Sequence, residues 1–490
     1  MSLIKKLAGE TAVYGLSSII GRLLNYLLVP LYTSVLSIGE YGVSSEFYAY
    51  ASFAAVVFSY GMETAFFSFC QKNDSDEKVF STAMISLLVS SAIIGVLLFL
   101  LATPLSIWTK NVNREVLFYY LAFILAADAV SSIPFAWLRK KNQAKRFAAL
   151  RFLNILTGIV LNLFIYAFCP YMIKNGHSFF SYFYQPENGI KYMFLINAIS
   201  SWIVFPFFIK EIKLLRYGFD KTLWKEMMLY AYPLIFMGLA GMVNETLDRI
   251  LLKNLIVDTK IAEEQIGIYS ANYKLSILIT LFIQAFRFAA EPFFFSRMKD
   301  DNARETYSKV MNYFVIVCSL IFLVVVFYLD IFKHFLRNKT YWEGLHVVPI
   351  LLMANVCLGI YYNLSIWFKL SNKTKMGAFV AIFGAIITLI LNYLWIPSYG
   401  YTGSAWATFS CYASMCIVSY LLGQKYYPVP YDLKKIALFI GGALFFYAIS
   451  DYLAAFYALS DYMKMGVNTI LLFAYTTMIF FTMKKELYGN

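Results

Sequence analysis

Thirteen charged side chains fall inside apolar stretches of this 490-residue chain, where an ionised group is hard to keep. Arg22 is the sharpest case. It stands near the middle of the stretch Glu10–Leu36, with no acid three or four positions away. A charge near a bilayer centre costs at least ~2.5–3.5 kcal/mol on insertion scales. Such a cation needs either a water-filled cavity or an anion, and the chemistry it offers is charge-assisted hydrogen bonding. Lys274 also lacks a nearby acid. Glu245 with Arg249, and Arg287 with Glu291, are four apart and can pair on one helix face, which is the structural reading of both. Arg151 and Lys309 are near inner ends and can snorkel. Glu46 is near an outer boundary, and Asp128 is mid-span and alone, a candidate protonatable group. Glu63, Asp248 and Lys253 complete the set.

The neutral polar residues are less telling. Asparagines inside spans default to helix–helix hydrogen bonding, but Asn25 and Asn244 neighbour Arg22 and Arg249 and suit a cavity wall. Pro30, Pro233, Pro292 and Pro349 can kink their helices. Tryptophans such as Trp108, Trp137, Trp202 and Trp224 stand at span ends, as interface belts do.

Other chemistries find no residues to carry them. The six cysteines are scattered without a C-x-x-C and read as small buried hydrophobes. His177, His334 and His346 have no metal-ligand spacing. The sequence therefore predicts no metal, no cofactor, no catalytic residues and no nucleic-acid module.

The elements that must position these charges are membrane helices. The chain is 60% hydrophobic and 14% charged, with mean hydropathy +0.64. Apolar runs of roughly 20 residues, the length that spans ~30 Å of hydrocarbon, recur to the end. A membrane β-barrel would show short alternating segments instead. The first run is too long for a signal-peptide core and ends in Pro30-Leu31-Tyr32 without a small-residue cleavage site. About fourteen spans are expected: 10–36, 43–69, 80–108, 116–138, 147–170, 190–209, 227–253, 266–295, 306–331, 346–368, 376–396, 402–423, 436–456 and 465–483. The loops on one side then hold 25 Lys and Arg and those on the other hold nine. Basic loops stay in the cytoplasm, which puts both termini there. The net charge of +13 is mainly this topology signal, and contact with anionic membrane lipids is its ordinary use.

A weak internal repeat organises the spans. Val29-Pro30-Leu31-Tyr32-Thr33 leads to Glu40-Tyr41-Gly42-Val43-Ser44-Ser45 after span 1; after span 7 the chain reads Gln265-Ile266-Gly267-Ile268-Tyr269-Ser270. Spans 1 and 7 each carry an arginine, Arg22 and Arg249. A six-helix spacing predicts two lobes related by a pseudo-two-fold along the membrane normal. The expected division is an N-terminal lobe 1–210, a cytoplasmic linker 211–226, a C-terminal lobe 227–423, and helices 13 and 14 with a tail in 424–490. The charges concentrate in helices 1, 2, 7 and 8, which should line a shared cleft.

The segment 29–36 followed by Glu40-Tyr41-Gly42 resembles the opening of bacterial polysaccharide-transport proteins, the O-antigen type oligosaccharide flippases. The stretch 391–408, LNYLWIPSYGYTGSAWAT, resembles that family's turn between helices 11 and 12. The family belongs to the multidrug/oligosaccharidyl-lipid/polysaccharide exporter superfamily, with lipid II flippases and multidrug/cation antiporters. The resemblance implies an inner-membrane protein that flips a polyprenyl-pyrophosphate-linked oligosaccharide from the cytoplasmic to the periplasmic face by alternating access, for surface polysaccharide synthesis. It further implies work beside a polysaccharide polymerase and chain-length machinery. In lipid II flippases, a helix 1 arginine and helix 8 cations bind the pyrophosphate. Arg22 matches the first by helix and depth, and Lys274 or Arg287 the second, with Arg249 a further candidate. Glu46 is the nearest match to an acidic helix 2 residue of that group. Asp128, Glu46 and Glu245 are candidates for coupling to a proton or cation gradient, with Asn25 and Asn244 on the wall. A multidrug/cation antiporter would favour unpaired carboxylates. A membrane polymerase would need catalytic residues in a large outer loop, and 171–189 offers one His and one Glu.

Overall fold

The structure is a computed structural model that describes residues 19–73, 75–298, 300–371, 373–457 and 460–488. The expected start of span 1 at residue 10, and the side chains of Glu291 and Pro292, lie outside the described residues. Eleven helices among the described residues are long and apolar enough to cross a membrane.

Helix α1 (Ile19–Val35) loosens at Leu27 and Leu28, because Pro30 has no N–H to give the carbonyl one turn back. A capping box between Ser37 and Glu40 starts α2 (Ile38–Ser59). Span 2, expected unbroken over 43–69, is divided. Tyr60 (φ 33°) and Gly61 (φ 71°) are left-handed, and α3 (Met62–Phe69) follows. The Tyr60 hydroxyl is fixed by Ser86 and Ser90, 2.7 and 3.2 Å away. Gly61 lies so close to Leu234 and the Ala231 carbonyl that a Cβ would stand 3.1–3.4 Å from them. Enclosure by protein is what tolerates irregular backbone at this depth.

Next come α4 (Asp76–Leu100), α5 (Glu115–Lys140) and α6 (Ala144–Leu163). The α6 span continues through a wide π-turn, Phe164–Phe168, into the short helix Cys169–Lys174. Pro170 begins that helix, and the wide turn accommodates its missing donor. After α7 (Gly189–Trp202), the linker expected over 211–226 is docked. Glu211 forms a bidentate pair with Arg146 (2.6 and 2.9 Å), and Ser81 donates to the Leu215 carbonyl. Asp220 then caps α8 (Lys221–Leu255) by accepting from the N–H groups of Thr222 and Leu223.

The chain goes on through α9 (Thr259–Leu275), α10 (Ile277–Arg297), α11 (Ala303–Phe327), α12 (Val348–Leu364) and α13 (Thr374–Tyr426). Gly400 (φ 54°, ψ −137°) breaks α13 three residues after Pro397, at the turn expected between spans 11 and 12. Beyond it, Ser404 donates to Asn392 (2.9 Å), tying the two halves together. The last helices are α14 (Leu433–Phe456) and α15 (Asp461–Tyr488). Asn468 joins them to α11 by accepting from Ser450 and donating to the Phe327 carbonyl.

Contacts divide the chain into two compact units, the first ending at Gly267 and the second beginning at Ile268, inside α9. In the first, Phe66, Phe80 and Trp137 join Met227 and Ala231 in one core. In the second, α11 is the central helix; two-thirds of its apolar window is buried, against about a tenth for α15.

Candidate functional site

Helix α1 presents two exposed faces. One carries Ile20, Leu23 and Leu27. The other carries Arg22 and Asn25, three apart, with half-buried Tyr26 on the same side. Gly21 turns its back to Ile155, close enough that a Cβ would stand 2.7 Å from that side chain. Arg22 is exposed and has no hydrogen bond, ion pair or ring partner among the described residues.

The other expected cations are held differently. Arg249 bonds the Asp248 carboxylate (2.8 Å) and the backbone carbonyl of Glu245 (2.9 Å). Arg249 thus pairs with the adjacent Asp248, which is buried. Glu245 is exposed and Asn244 is enclosed rather than lining an open wall. In the second unit, Lys274 is exposed, and Arg287 is exposed with its guanidinium 4.0 Å over the Tyr362 ring, a cation–π contact.

Asp128 is exposed but not alone. It accepts a hydrogen bond from Ser201 and lies in the field of Arg151. Tyr48 completes this polar corner, accepting from Asn197 (3.0 Å). Arg151 does not only snorkel; its guanidinium packs 4.0 Å over Phe135.

Glu46 is where the geometry departs most from the reading as a cavity-lining acid. It is fully enclosed. Its Oε1 accepts from Asn111 (2.9 Å) and Tyr50 (3.1 Å), and its Oε2 lies 3.6 Å from the Lys253 ammonium. Lys253, equally enclosed, donates to Glu263 at 2.6 Å. Arg114 grips Glu263 from the other side at 2.6 and 3.2 Å. Two carboxylates and two cations therefore form one balanced cluster. Two glycines let the helices approach this closely. A Cβ at Gly42 would fall 1.9 Å from the Glu263 carbonyl oxygen, and one at Gly267 would fall 2.2 Å from that of Ile38. Sequence reading found Glu46 and Lys253 but not Asn111, Arg114 or Glu263, because those stand outside the apolar runs that drew attention to intramembrane charge.

Among the described residues no group of three His, Cys, Asp or Glu could hold a metal ion. The first unit offers the exposed Arg22, an enclosed charge-balanced cluster and a polar corner at Asp128, and the second offers Lys274 and Arg287.

Comparisons with known proteins give a family from the sequence and a fold from solved structures. The sequence profile of a family described as "Polysaccharide biosynthesis protein" matches residues 7–299. A comparison with curated proteins finds no match. Among solved structures, one titled "Lipid II flippase MurJ, inward closed conformation" superposes with TM-score 0.73 at 14% identity, covering 96% of this chain and 98% of that one. An inward-facing multidrug resistance MATE family transporter of the MOP superfamily gives 0.63 at 16% identity, over 83% of this chain and 94% of that one. An outward-facing structure of such a transporter gives 0.55 at 14%, over 85% and 94%. At these identities the likeness is one of fold.

Proposed function

Because the chain belongs to the polysaccharide biosynthesis protein family, we propose that it is a flippase for a polyprenyl-pyrophosphate-linked oligosaccharide, moving it from the cytoplasmic to the periplasmic face of the bacterial inner membrane. The observation that carries this reading is Arg22: an exposed cation on the polar side of an apolar helix, without a partner among the described residues. A pyrophosphate is the kind of ligand that such a group lacks. Each charge-assisted hydrogen bond to it contributes about 1.5–3 kcal/mol. Lys274 and Arg287 are the further cations assigned to this work. Arg249, beside Asp248, is the third candidate.

The proposed architecture is fourteen crossings in two six-helix repeats plus a C-terminal pair, with both termini cytoplasmic and transport by alternating access. The eleven apolar helices supply most of these crossings; α1, α2 with α3, and the two halves of α13 about Gly400 supply the rest. Polymerase and chain-length machinery are the proposed downstream partners, and Asp128 with its Ser201 and Arg151 neighbours is the proposed place for coupling to an ion gradient.

The competing reading is a multidrug/cation antiporter. The balance of exposed intramembrane charge disfavours it. Arg22, Arg151, Lys274, Arg287 and Lys309 are exposed, against Asp128 and Glu245, an excess of cations that does not favour cationic drugs. The test is reconstitution into liposomes with lipid-linked oligosaccharides, with and without an imposed pH or Na⁺ gradient. Flipping lost in Arg22→Ala and partly kept in Arg22→Lys supports the reading. Full flipping by a normally inserted Arg22→Ala protein overturns the pyrophosphate role.

A further inference from the structure

The loop between α6 and α7 carries a contiguous set of aromatic rings that the transport reading does not use. It contains Phe179, Phe180, Tyr182 and Phe183, mostly on the 3-10 turn Ser178–Tyr182. Tyr182 is 85% and Phe179 61% exposed, although both are in ring contact with their neighbours. In water such a patch is unfavourable, so its depth decides what it meets.

The depth follows from the helix beside it. The inner end of the α6 span is marked by Arg146, paired with Glu211. Phe164 lies 18 positions further on and Phe168 lies 22. At ~1.5 Å per residue these are about 27 and 33 Å from the inner boundary, against ~30 Å of hydrocarbon. The span then overshoots to Lys174, and the loop folds back down its side. The Phe180 ring reaches Phe168 at 5.3 Å, and the Phe183 ring reaches Phe164 at 6.0 Å. The exposed rings therefore sit at the level where hydrocarbon meets headgroups.

Two more features fit that level. Phe152, Leu156, Val160 and Leu163 form an exposed apolar stripe along α6, and Phe168 continues it to the loop, so the patch extends a lipid-facing surface. The backbone is also satisfied locally, as a segment at this depth requires. The N–H of Phe180 donates to His177, those of Phe183 and Tyr184 donate to Phe180, and that of Gln185 donates to the Tyr192 hydroxyl. Lys174, Asn175, Glu187 and Lys191, all exposed, flank the rings in sequence.

We propose that residues 178–184 are an interfacial anchor, with Phe179, Tyr182 and Phe183 inserted at the acyl–headgroup boundary of the outer leaflet. Only the naming of the leaflet rests on the topology proposed above; the insertion does not depend on transport. The experiment places a nitroxide at Phe179→Cys or Tyr182→Cys in full-length protein, in vesicles of phosphatidylethanolamine and phosphatidylglycerol. The unsubstituted protein sets the background from the native thiols. Collision rates with oxygen and with a water-soluble nickel chelate are compared with those at Asn175→Cys and Glu187→Cys. The expected result is an oxygen-to-nickel ratio several-fold higher at 179 and 182 than at the two controls. Equal ratios at all four positions overturn the proposal. So does shielding from nickel that appears only when a lipid-linked oligosaccharide is added, which makes the rings a sugar platform instead. Quenching of Tyr182→Trp fluorescence by brominated phospholipid, above that of the unsubstituted protein, reads the same insertion without a label.

Discussion

Replacing Lys253 by methionine should destabilise the first unit out of proportion to the size of the change. The ammonium is fully enclosed, 2.6 Å from Glu263 and 3.6 Å from Glu46. Methionine fills similar volume and removes the charge together with the hydrogen bond to Glu263. Glu263 keeps Arg114, but Glu46 keeps only Asn111 and Tyr50, with no cation beside it among the described residues. Stranding one member of a buried pair costs about 3–5 kcal/mol. At ~2–4 °C per kcal/mol, the apparent Tm in detergent should fall by roughly 6–20 °C. The companion variant carries Glu46→Gln as well, which removes the stranded charge and leaves a side chain that Asn111 and Tyr50 can still engage. Exchange of a whole buried pair for neutral groups is often close to neutral, so the double variant should recover most of the loss. The readout is unfolding followed by intrinsic fluorescence, checked by loss of the monodisperse species. A single variant that melts within about 2 °C of the parent refutes the reasoning, because on the scale used above it means the cluster is hydrated. A double variant less stable than the single one refutes it too.

Asp220→Asn keeps the α8 cap but loses the 2.8 Å pair with Lys78. The hydrogen bond from Lys78, then those from the Leu223 and Thr222 N–H groups, hold the Asp220 carboxyl below its ordinary range. That contribution is present above the unfolded carboxylate value of ~4 and is lost as pH falls through the lower folded value. The variant should melt earlier than the parent at pH 7, with the gap closing in acid when both are scanned by fluorescence. Gly42→Ala should sharply reduce the yield of folded protein on size exclusion, whereas Gly95→Ala, whose Cβ meets nothing within 4 Å, should be neutral or stabilising by about 0.5–1 kcal/mol. Asn468→Ala should expose α14 and α15 to limited proteolysis while leaving the core of α11 protected, because it removes the bonds to Ser450 and Phe327.

How much of this was legible in the sequence depended on whether the cause was local. The exposed Arg22 was legible, because an uncompensated charge in an apolar run is visible within one helical turn. The turn at Gly400 was legible for the same reason, with Pro397 three residues before it. The break in span 2 was not, since its cause is the approach of Leu234 and Ala231 from a helix far along the chain. Asp128 looked solitary because Arg151 and Ser201 reach it from two later helices. Glu46 looked like a cavity residue because its partners Asn111 and Lys253 are distant in sequence and Asn111 is outside the apolar runs.

The contrast between Lys253 and Arg22 gives the functional reading its force. Both are single cations in helices of the membrane region, and both cost free energy there. The fold enclosed the first and met it with two carboxylates. It treated Asp248 and Glu211 likewise, giving them Arg249 and Arg146. These enclosed charges were thus neutralised from within the chain, at the expense of close helix approaches such as that at Gly42. Arg22 stands exposed beside Asn25, and no described residue neutralises it. The enclosed charges are balanced within the chain while Arg22 stays exposed, and the proposed anion-binding role draws on that contrast. On that proposal, Arg22→Glu should abolish flipping while changing stability by no more than about 0.5 kcal/mol in the thermal scan, as is usual at an exposed position.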